Sequence, residues 1–226
     1  MILECKICNN LYKNKVFKIK EKFFGFNKSF VYFQCSKCKC LQILEFPEKI
    51  EMYYPSKYYS YSLKSFIPEN IIKRLIKKYI YKSLYLYSGI LSKFLFYIYQ
   101  NSNDLLLQIF SILKLTKNSR ILDVGCGSGS SLYYLKEIGF KYLLGIDPFI
   151  KKDLIYRNGL RIKKKKIENV RGKFDIIMFN HSFEHMANPF EVFRCIAKLL
   201  EYNSICIIVI PMIPCFAWNH YGINWV

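Results

Sequence analysis

One run of ten residues, 121–130, constrains the fold more than any other part of the chain. An apolar segment reaches an acid, Asp123, and glycines follow at positions 125, 127 and 129. Residues 131–138 then have the pattern of a helix. Because glycine adopts positive φ freely and carries no Cβ, such a loop turns sharply and lets a ligand approach the backbone. The order of strand, glycine loop and helix therefore predicts a small-molecule site at a helix N-terminus.

A second apolar segment, 142–147, ends in Asp147. In nucleotide-binding folds, an acid at this place binds ribose hydroxyls. The glycine spacing differs from the dinucleotide fingerprint Gly-x-Gly-x-x-Gly, because Ser130 stands where the third glycine belongs and Gly129 comes one position earlier. The pattern thus favours a nucleoside-containing ligand other than a dinucleotide.

A third segment, 174–189, begins with Phe-Asp and an apolar run and continues through Asn180 and His181 to Glu184 and His185. Histidine titrates near neutral pH, so His181 is the preferred candidate for a general base. Glu184 and His185 could accept a proton or bind a metal. Alternatively, Glu184 only complements a helix N-terminus while His185 packs and hydrogen-bonds.

Together, Asp-x-Gly-x-Gly-x-Gly, Gly-Ile-Asp and His-x-x-Glu-His resemble the class I S-adenosylmethionine-dependent methyltransferases. The resemblance implies an α/β fold with a doubly wound, mostly parallel, Rossmann-like sheet. It implies that Glu184 and His185 open the helix after the fourth strand, and that Lys166 replaces an acid that often holds adenine, which leaves Glu168 as the candidate. The cofactor contacts that it implies are Asp123, Gly125, Cys126, Gly127, Gly129, Asp147, Glu168 and Asn180.

Two Cys-x-x-Cys pairs lie near the N-terminus, Cys5 with Cys8 and Cys35 with Cys38. Two such turns present four thiolates, which complete a closed tetrahedral zinc site. Cys40 is an alternative ligand. Segments 16–19 and 30–33 read as strands of a small ribbon between the pairs. Since so short a ribbon has little core, we expect Zn²⁺ to supply folding energy and no chemistry.

The chain has a formal net charge of +19, from 35 Lys and Arg against 16 acids. Such a charge favours a polyanionic partner, but abundant lysine, isoleucine and tyrosine with scarce alanine indicate a general compositional bias. No signal peptide is visible, so we expect a cytoplasmic protein with reduced cysteines. The apolar stretch 84–99 is short for a membrane span. It favours a lid over the cleft, with peripheral membrane contact as the alternative.

The sequence divides into a zinc-ribbon module at 1–45, a linker and helical lid at 46–115, and an S-adenosylmethionine-binding domain at 116–226. The linker carries a tyrosine cluster at 53–61 that we expect to pack between ribbon and main domain. The family normally adds an antiparallel hairpin after the fifth strand, 204–210, and the sequence ends before one appears. We therefore expect missing C-terminal strands and a truncated domain.

A zinc knuckle followed by Tyr-Pro-x-x-Tyr-Tyr also resembles methyltransferases of surface-polysaccharide and sugar-modification gene clusters. That resemblance implies methyl transfer to a sugar, a glycan or another small hydroxylated metabolite. An RNA methyltransferase is the first alternative, although residues 180–183 read Asn-His-Ser-Phe and lack the Asn/Asp-Pro-Pro-Tyr/Phe motif of base-methylating enzymes. The second alternative is a non-catalytic relative that only binds the cofactor.

Overall fold

The computed structural model of the chain describes residues 3–22, 25–54, 59–61 and 115–224, with single helical positions at 72, 75, 78, 79, 82 and 109 and a turn at 113. Most of the predicted helical lid, including the apolar stretch 84–99, lies outside the described residues. Among the helices that are described, none is long and apolar enough to cross a membrane.

The N-terminal part forms a three-stranded antiparallel sheet, which we call the ribbon. Its strands are β1 (Lys15–Lys20), β2 (Ser29–Gln34) and β3 (Leu41–Ile43). The first two confirm the predicted strands at 16–19 and 30–33, and the third was not predicted. Its small core consists of Cys5, Phe33 and Cys35. So small a core agrees with the expectation that the ribbon needs a metal to fold.

The main domain contains a six-stranded sheet in the order β6-β7-β5-β4-β8-β9. All neighbours run parallel except β6 and β7. The predicted fold class, a doubly wound and mostly parallel sheet, is confirmed. The strands are β4 (Arg120–Val124), β5 (Tyr142–Ile146), β6 (Leu154–Ile155), β7 (Arg161–Lys163), β8 (Phe174–Asn180) and β9 (Leu200–Val209).

Successive side chains of a strand point to opposite faces of the sheet. Both faces are buried, because a helix packs against each of them. On one face Ile121 and Met178 pack with Leu132 and Leu135 of helix α1 (Ser130–Glu137). On the other face the sheet packs against helix α2 (Pro189–Leu199), through the residues Leu122, Ile177, Phe179, Val192 and Ile196. Because both faces are buried, the strands read as continuous apolar runs in the sequence.

The hairpin between β6 and β7 was not predicted. Asn158-Gly159 forms its turn: Gly159 has φ +81° and its N–H donates to the Tyr156 carbonyl at 2.9 Å. Asn-Gly between two short apolar segments is a strong hairpin signal, which the neighbouring lysines obscured. Strand β7 ends at Lys163, the first residue of the lysine run. Glu168 lies beyond this strand, in a 3-10 turn, Ile167–Asn169.

The segment between ribbon and sheet contributes two short 3-10 helices, Ile50–Tyr53 and Tyr59–Tyr61. Tyr53 packs edge-on against Phe30 of the ribbon, at 5.4 Å between ring centroids. Tyr54 stacks on Phe149 of the main domain at 4.8 Å. These two tyrosines pack between ribbon and main domain, as expected from the sequence.

A short helix after β9, α3 (Phe216–Tyr221), also meets the ribbon. Trp218 of α3 lies edge-on against Phe17 of β1, with ring centroids 5.4 Å apart. In addition, Lys22 Nζ hydrogen-bonds Asn224 Oδ1. The ribbon is thus held from two sides, by the tyrosines of the connecting segment and by the residues after β9.

Candidate functional site

The strand order locates a crevice at the carboxyl ends of β4 and β8. From β4 the chain passes to β5 on one side and later returns to β8 on the other side. In open α/β sheets, ligands bind where the strand order reverses in this way. The glycine loop 125–129 follows β4 and the loop 181–188 follows β8, so both sequence motifs meet at this crevice.

The glycine loop has the backbone conformation that the sequence predicts. Gly125 has φ +74° and Gly127 has φ +54°. A Cβ on Gly125 would lie 2.4 Å from Cβ of Ser182, and one on Gly127 would lie 2.5 Å from the Ser60 carbonyl oxygen. Ser128 N–H donates to that same carbonyl at 2.7 Å. Both glycines are therefore required by close neighbours as well as by their φ angles.

Asp147 follows β5 and lies against the glycine loop. Its Oδ2 accepts from Gly127 N–H at 3.0 Å and its Oδ1 accepts from Phe149 N–H at 2.8 Å. A carboxylate has about four acceptor positions, so both oxygens keep capacity for ligand hydroxyls. Burial raises the pKa of Asp147, while these backbone N–H donors oppose the shift.

Asp123 is buried at the end of β4, with 3% of its surface exposed. Its Oδ1 has no hydrogen-bond partner among the described residues. Burial, and secondarily the charge of Asp147, raises the pKa of Asp123 to about 8. A buried acceptor without a donor is costly, which indicates that a donor or a cation approaches this carboxyl in the functional state.

The remaining predicted cofactor contacts are divided between the crevice, the side of β5 and an exposed turn. Gly129 has φ +76° and precedes α1 as its N-cap, and Asn180 ends β8 at the crevice. Cys126 lies in the loop, but its Sγ would be 2.7 Å from a Cβ on Gly145, so the thiol lies against β5. Glu168 is exposed on its 3-10 turn. Their roles as cofactor contacts stay predictions.

His181, Glu184 and His185 form one cluster. Glu184 Oε1 lies 3.9 Å from His181 Nδ1 and 4.0 Å from His185 Nε2. The pair at 184–185 was expected to open the helix after β8; instead it lies in a separate 3-10 turn, Phe183–His185. Helix α2 starts only at Pro189, because the Asn188 side chain caps it by accepting from Glu191 N–H. This turn moves Glu184 and His185 away from the helix and toward the ribbon.

The two histidines differ in environment. The His181 side chain is 57% exposed, and its backbone has φ +52°. His185 is half exposed and lies edge-on to Tyr54, at 6.1 Å between ring centroids. Burial lowers the pKa of His185, Glu184 opposes that shift, and His181 adds to it. His185 is therefore a neutral imidazole, able to accept a proton, at neutral pH.

A cavity of about 770 Å³ lies between the ribbon, the connecting segment and the loops after β8 and β9. We call it the ribbon cavity. Glu184 and His185 line it, whereas His181 does not. Most of its other lining side chains are apolar or aromatic, among them Ile19, Phe30, Tyr32, Ile43, Tyr53, Tyr54, Phe183, Met212 and Trp218. Its volume is within the range of small-molecule sites.

Three residues that sequence reasoning did not assign hold the site together. Ser182 Oγ donates to the Val124 carbonyl at 2.6 Å and so fixes the loop after β8 to the end of β4. The Tyr156 hydroxyl donates to the Ser128 carbonyl at 2.7 Å. Tyr54 contacts both Phe149, beyond Asp147, and His185, so it lies between the glycine-loop side and the ribbon cavity.

The four predicted zinc ligands come together in the ribbon. The Sγ atoms of Cys5, Cys8, Cys35 and Cys38 all lie within 4.8 Å of one another, with 3.5 Å between Cys5 and Cys38. Tetrahedral Zn²⁺ with bonds of about 2.3 Å separates its sulfurs by about 3.8 Å. Cys40 lies outside the group, and its thiol faces the Leu41 carbonyl.

Hydrogen bonds to sulfur strengthen this interpretation of the cluster. Gln42 Nε2 donates to Cys5 Sγ at 2.9 Å and Ile7 N–H donates to the same sulfur at 3.4 Å. Burial acts against ionisation of Cys35, but N–H donors of Cys38 and Lys37 dominate and lower its pKa to about 6. Thiolates so stabilised are the form that binds metal. The donor set therefore fits Zn²⁺.

The crevice also fits S-adenosylmethionine, the cofactor implied by the sequence resemblance. Two buried carboxyls, Asp123 and Asp147, lie beside a glycine loop that leaves no room for a Cβ. A cationic ligand beside these two carboxyls would favour their ionised form and so oppose the burial that raises the pKa of both. Asp147, the acid after β5, keeps acceptor capacity for ribose hydroxyls.

Comparisons with known proteins identify the family of the chain. A family model described as "Methyltransferase domain" matches residues 92–226. The mitochondrial ubiquinone biosynthesis O-methyltransferase of Saccharomyces cerevisiae is 34% identical over 99 residues, which cover 38% of this chain and 31% of that protein. The chain thus matches less than a third of the length of this curated relative.

Solved structures with some likeness include the plantazolicin methyltransferase BpumL. Its complex with a pentazolic desmethylPZN analog and SAH gives a TM-score of 0.37 at 20% identity, over 62% of each chain. The complex with SAH alone gives 0.37 at 22% identity, over 61% of this chain and 62% of that one. Because the family model covers more than half of the sequence, the chain belongs to the methyltransferase-domain family.

Proposed function

We propose that the chain transfers a methyl group from S-adenosylmethionine to a hydroxyl oxygen of a small molecule in the ribbon cavity. The observation that carries this proposal is the position of Glu184 and His185, which line that cavity immediately after the strand that borders the glycine loop. The yeast relative is named as an O-methyltransferase, which supports oxygen as the acceptor atom.

In this proposal the crevice between β4 and β8 holds the cofactor, which when bound supplies a methyl group on a sulfonium. Gly125 and Gly127 let the loop turn at positive φ and pack closely against Ser182 and Ser60, and Asp147 would accept from the ribose hydroxyls of the cofactor. Asp123 lies where its carboxylate can face positive charge. Ser182 keeps the loop after β8 against the glycine loop through its bond to the Val124 carbonyl, so donor and acceptor sites keep a fixed separation.

The neutral imidazole of His185 accepts the acceptor's hydroxyl proton. Glu184, 4.0 Å from Nε2 of His185, stabilises the imidazolium that forms. The sequence favours His181 as the base, and it remains a candidate because it contacts the same carboxylate at 3.9 Å. The lining of the ribbon cavity supports His185, since His181 faces solvent.

The proposed acceptor group is a hydroxyl. A sugar or glycan remains the prediction from the gene-cluster resemblance. RNA remains the alternative that the charge of +19 supports. For the ribbon we propose a structural Zn²⁺ held by Cys5, Cys8, Cys35 and Cys38, a proposal supported by the packing of their sulfur atoms.

The test begins with calorimetry of S-adenosylmethionine binding to the wild type and to Asp147→Asn. We expect at least tenfold weaker binding in the variant, because hydrogen bonds to a charged acceptor contribute about 1.5–3 kcal/mol. Absence of binding by a folded wild type would refute the proposed function.

Turnover is then measured with pooled small hydroxylated acceptors and with total RNA, for His185→Gln and His181→Gln. We expect His185→Gln to reduce kcat by about 10²–10⁴-fold with an unchanged Kd for S-adenosylmethionine. The matched variant His181→Gln should lose much less. The reverse ranking would assign the base to His181.

A further inference from the structure

Apolar and aromatic side chains make up most of the lining of the ribbon cavity. One strand of the ribbon illustrates this: the rings of Phe30 and Tyr32 of β2 line the cavity, whereas Val31 between them points to the other face. The opposite wall carries Phe183, Met212 and Trp218. Hence both the ribbon and the main domain contribute apolar surface to a single site.

Several of the polar side chains in the lining already have partners. Gln42 bonds the Lys6 backbone N–H and Cys5 Sγ, Lys39 Nζ donates to the Ser36 carbonyl, and Glu21 accepts from Phe26 N–H. Other polar groups in the lining, Lys6, Lys20 and the tyrosine hydroxyls, are outnumbered by apolar side chains. A sugar carries hydroxyl groups around its whole ring and would press some of them against apolar side chains without a partner, which is unfavourable.

The aromatic part of the lining favours a flat, unsaturated ligand. Phe30, Tyr53, Tyr54 and Trp218 all line the same space. Contacts between aromatic rings are favourable beyond the area that they bury. An aromatic ligand can make several such contacts at once, whereas a saturated polyol has no ring quadrupole with which to make them.

The acidity of the acceptor hydroxyl also favours an aromatic acceptor over a sugar. Burial lowers the pKa of His185, which makes it a weak base. A phenol has a pKa of about 10, as in tyrosine, whereas the pKa of an aliphatic hydroxyl is far higher, close to that of water. Proton transfer to His185 is therefore easier by several powers of ten from a phenol than from a sugar.

We propose that the acceptor is an apolar aromatic molecule with a phenolic hydroxyl, held between the ribbon and the main domain with that hydroxyl at Glu184 and His185. This inference rests on the proposed methyl transfer and narrows its acceptor. In the reaction the phenolic oxygen forms a bond to the methyl carbon as the carbon–sulfur bond breaks. The electron pair of that bond remains on sulfur, and the phenolic proton passes to the His185 imidazole.

The experiment uses the full chain and 6-hydroxy-2-naphthoate as probe, with methyl α-D-glucopyranoside as the polyol competitor. Binding is followed without cofactor, by energy transfer from Trp218 to the naphthalene ring, and Trp218→Phe identifies the signal. Phe30→Ala should weaken probe binding about tenfold or more, because it removes a ring contact and its buried area. Met212→Asn, at a side chain that is 69% exposed, tests the opposite wall with little risk to folding.

Val31→Ala is the matched control, since it truncates the neighbouring residue on the outer face of the same strand. We expect wild-type probe affinity in Val31→Ala and unchanged cofactor affinity in all variants. Formation of the 6-methoxy product by mass spectrometry should follow the same ranking.

Methylation of the glucoside but not of the naphthol would overturn the acceptor class while leaving the proposed function intact. Equal probe affinity in Phe30→Ala, Met212→Asn and the wild type would overturn the location. The proposed function fails by a different measurement, namely if S-adenosylmethionine does not bind. The probe titration is done without cofactor, so the two failures can be told apart.

Discussion

At the scale of single residues, Asp123 is a carboxyl group that folding removes from water. It lies at the end of β4 with Asp147 beside it, and its Oδ1 has no hydrogen-bond partner within the described part of the chain. The burial that raises its pKa to about 8 also makes folding sensitive to pH. Because the folded state holds this proton more tightly than the unfolded chain, its stabilising effect is complete below about pH 4 and is lost as pH rises to about 8.

We therefore expect Asp123→Asn to flatten the pH dependence of stability between pH 5 and pH 8. Urea unfolding measures it at both ends of that window. The wild-type free energy of unfolding should fall with pH, with about 1.4 kcal/mol per pH unit as the upper limit for one proton. An unchanged slope in Asp123→Asn would show that Asp123 ionises normally in the folded protein.

Individual site residues were predictable where the chemistry is local in sequence. Positive φ at Gly125 and Gly127 follows from the spacing after an apolar strand, and the four zinc-ligand candidates follow from paired Cys-x-x-Cys. Ser182 and Tyr156 were not predictable as partners of Val124 and Ser128, because the contacts join positions 58 and 28 residues apart. A serine or tyrosine in such segments carries no signal of its own.

At the scale of elements, one side chain ties three strands together. The Arg120 guanidinium of β4 donates to the Asp175 carboxylate of β8 at 2.6 Å, and it also donates to the Glu201 carboxylate of β9 at 3.3 Å. The Asp175 carboxylate further accepts from the Arg120 backbone N–H at 2.7 Å. The Arg120 hydrogen bond lowers the pKa of Asp175.

Replacing Asp175 by Asn should destabilise the fold by about 1 kcal/mol at pH 7, a small value because both side chains are over a third exposed. A depressed carboxyl pKa stabilises above the unfolded pKa of about 3.9 and loses that effect as pH falls below it. The difference between Asp175→Asn and the wild type should hence shrink at pH 3. Thermal melts at both pH values measure it.

Glu201→Gln is the matched control for this ion pair, because it removes the longer of the two contacts. Its cost at pH 7 should be smaller than that of Asp175→Asn. A larger cost for Glu201→Gln would mean that β9, and not β8, is the strand that Arg120 stabilises.

Element type was predictable wherever hydrophobic periodicity extends over a whole strand or helix, as in β4, β8 and α1. Short elements were not. The two residues of β6 carry no period, and the 3-10 turn of Glu184 and His185 was mistaken for the start of α2. Asn188-Pro189 marks that start in the sequence, since Asn is a good N-cap and Pro suits the first helical position.

At the scale of the whole molecule, the ribbon and the sheet fold around separate cores and meet at the ribbon cavity. The cavity was not predictable, because its lining comes from the ribbon, the connecting segment and two loops of the main domain. Hydrophobic patterns identify which residues are buried, but not which buried surfaces face each other across distant segments.

The separate cores predict that metal removal has a local effect. Treatment with a chelator should unfold the ribbon, since in the proposed site Zn²⁺ would supply most of the ribbon's folding energy. We expect naphthoate binding to be lost and the Kd for S-adenosylmethionine to change less than about threefold, measured by calorimetry, with zinc quantified by mass spectrometry.

Cys35→Ser should reproduce the chelated state, because it removes one of the four clustered thiols. Cys40→Ser is its control and should keep full zinc content, because the Cys40 thiol lies outside the cluster. Joint loss of cofactor binding with zinc would contradict the independence of the two cores.

The wall that the ribbon contributes has an evolutionary consequence. Phe30 and Ile43 line the cavity from strands of the ribbon, whereas Gly125, Gly127 and Asp147 follow strands of the main sheet. Mutations there are thus free of the constraint that fixes Gly125, Gly127 and Asp147. Selection on new acceptors would act first on the ribbon, and exchanging ribbons between homologous chains would be a direct way to transplant acceptor preference.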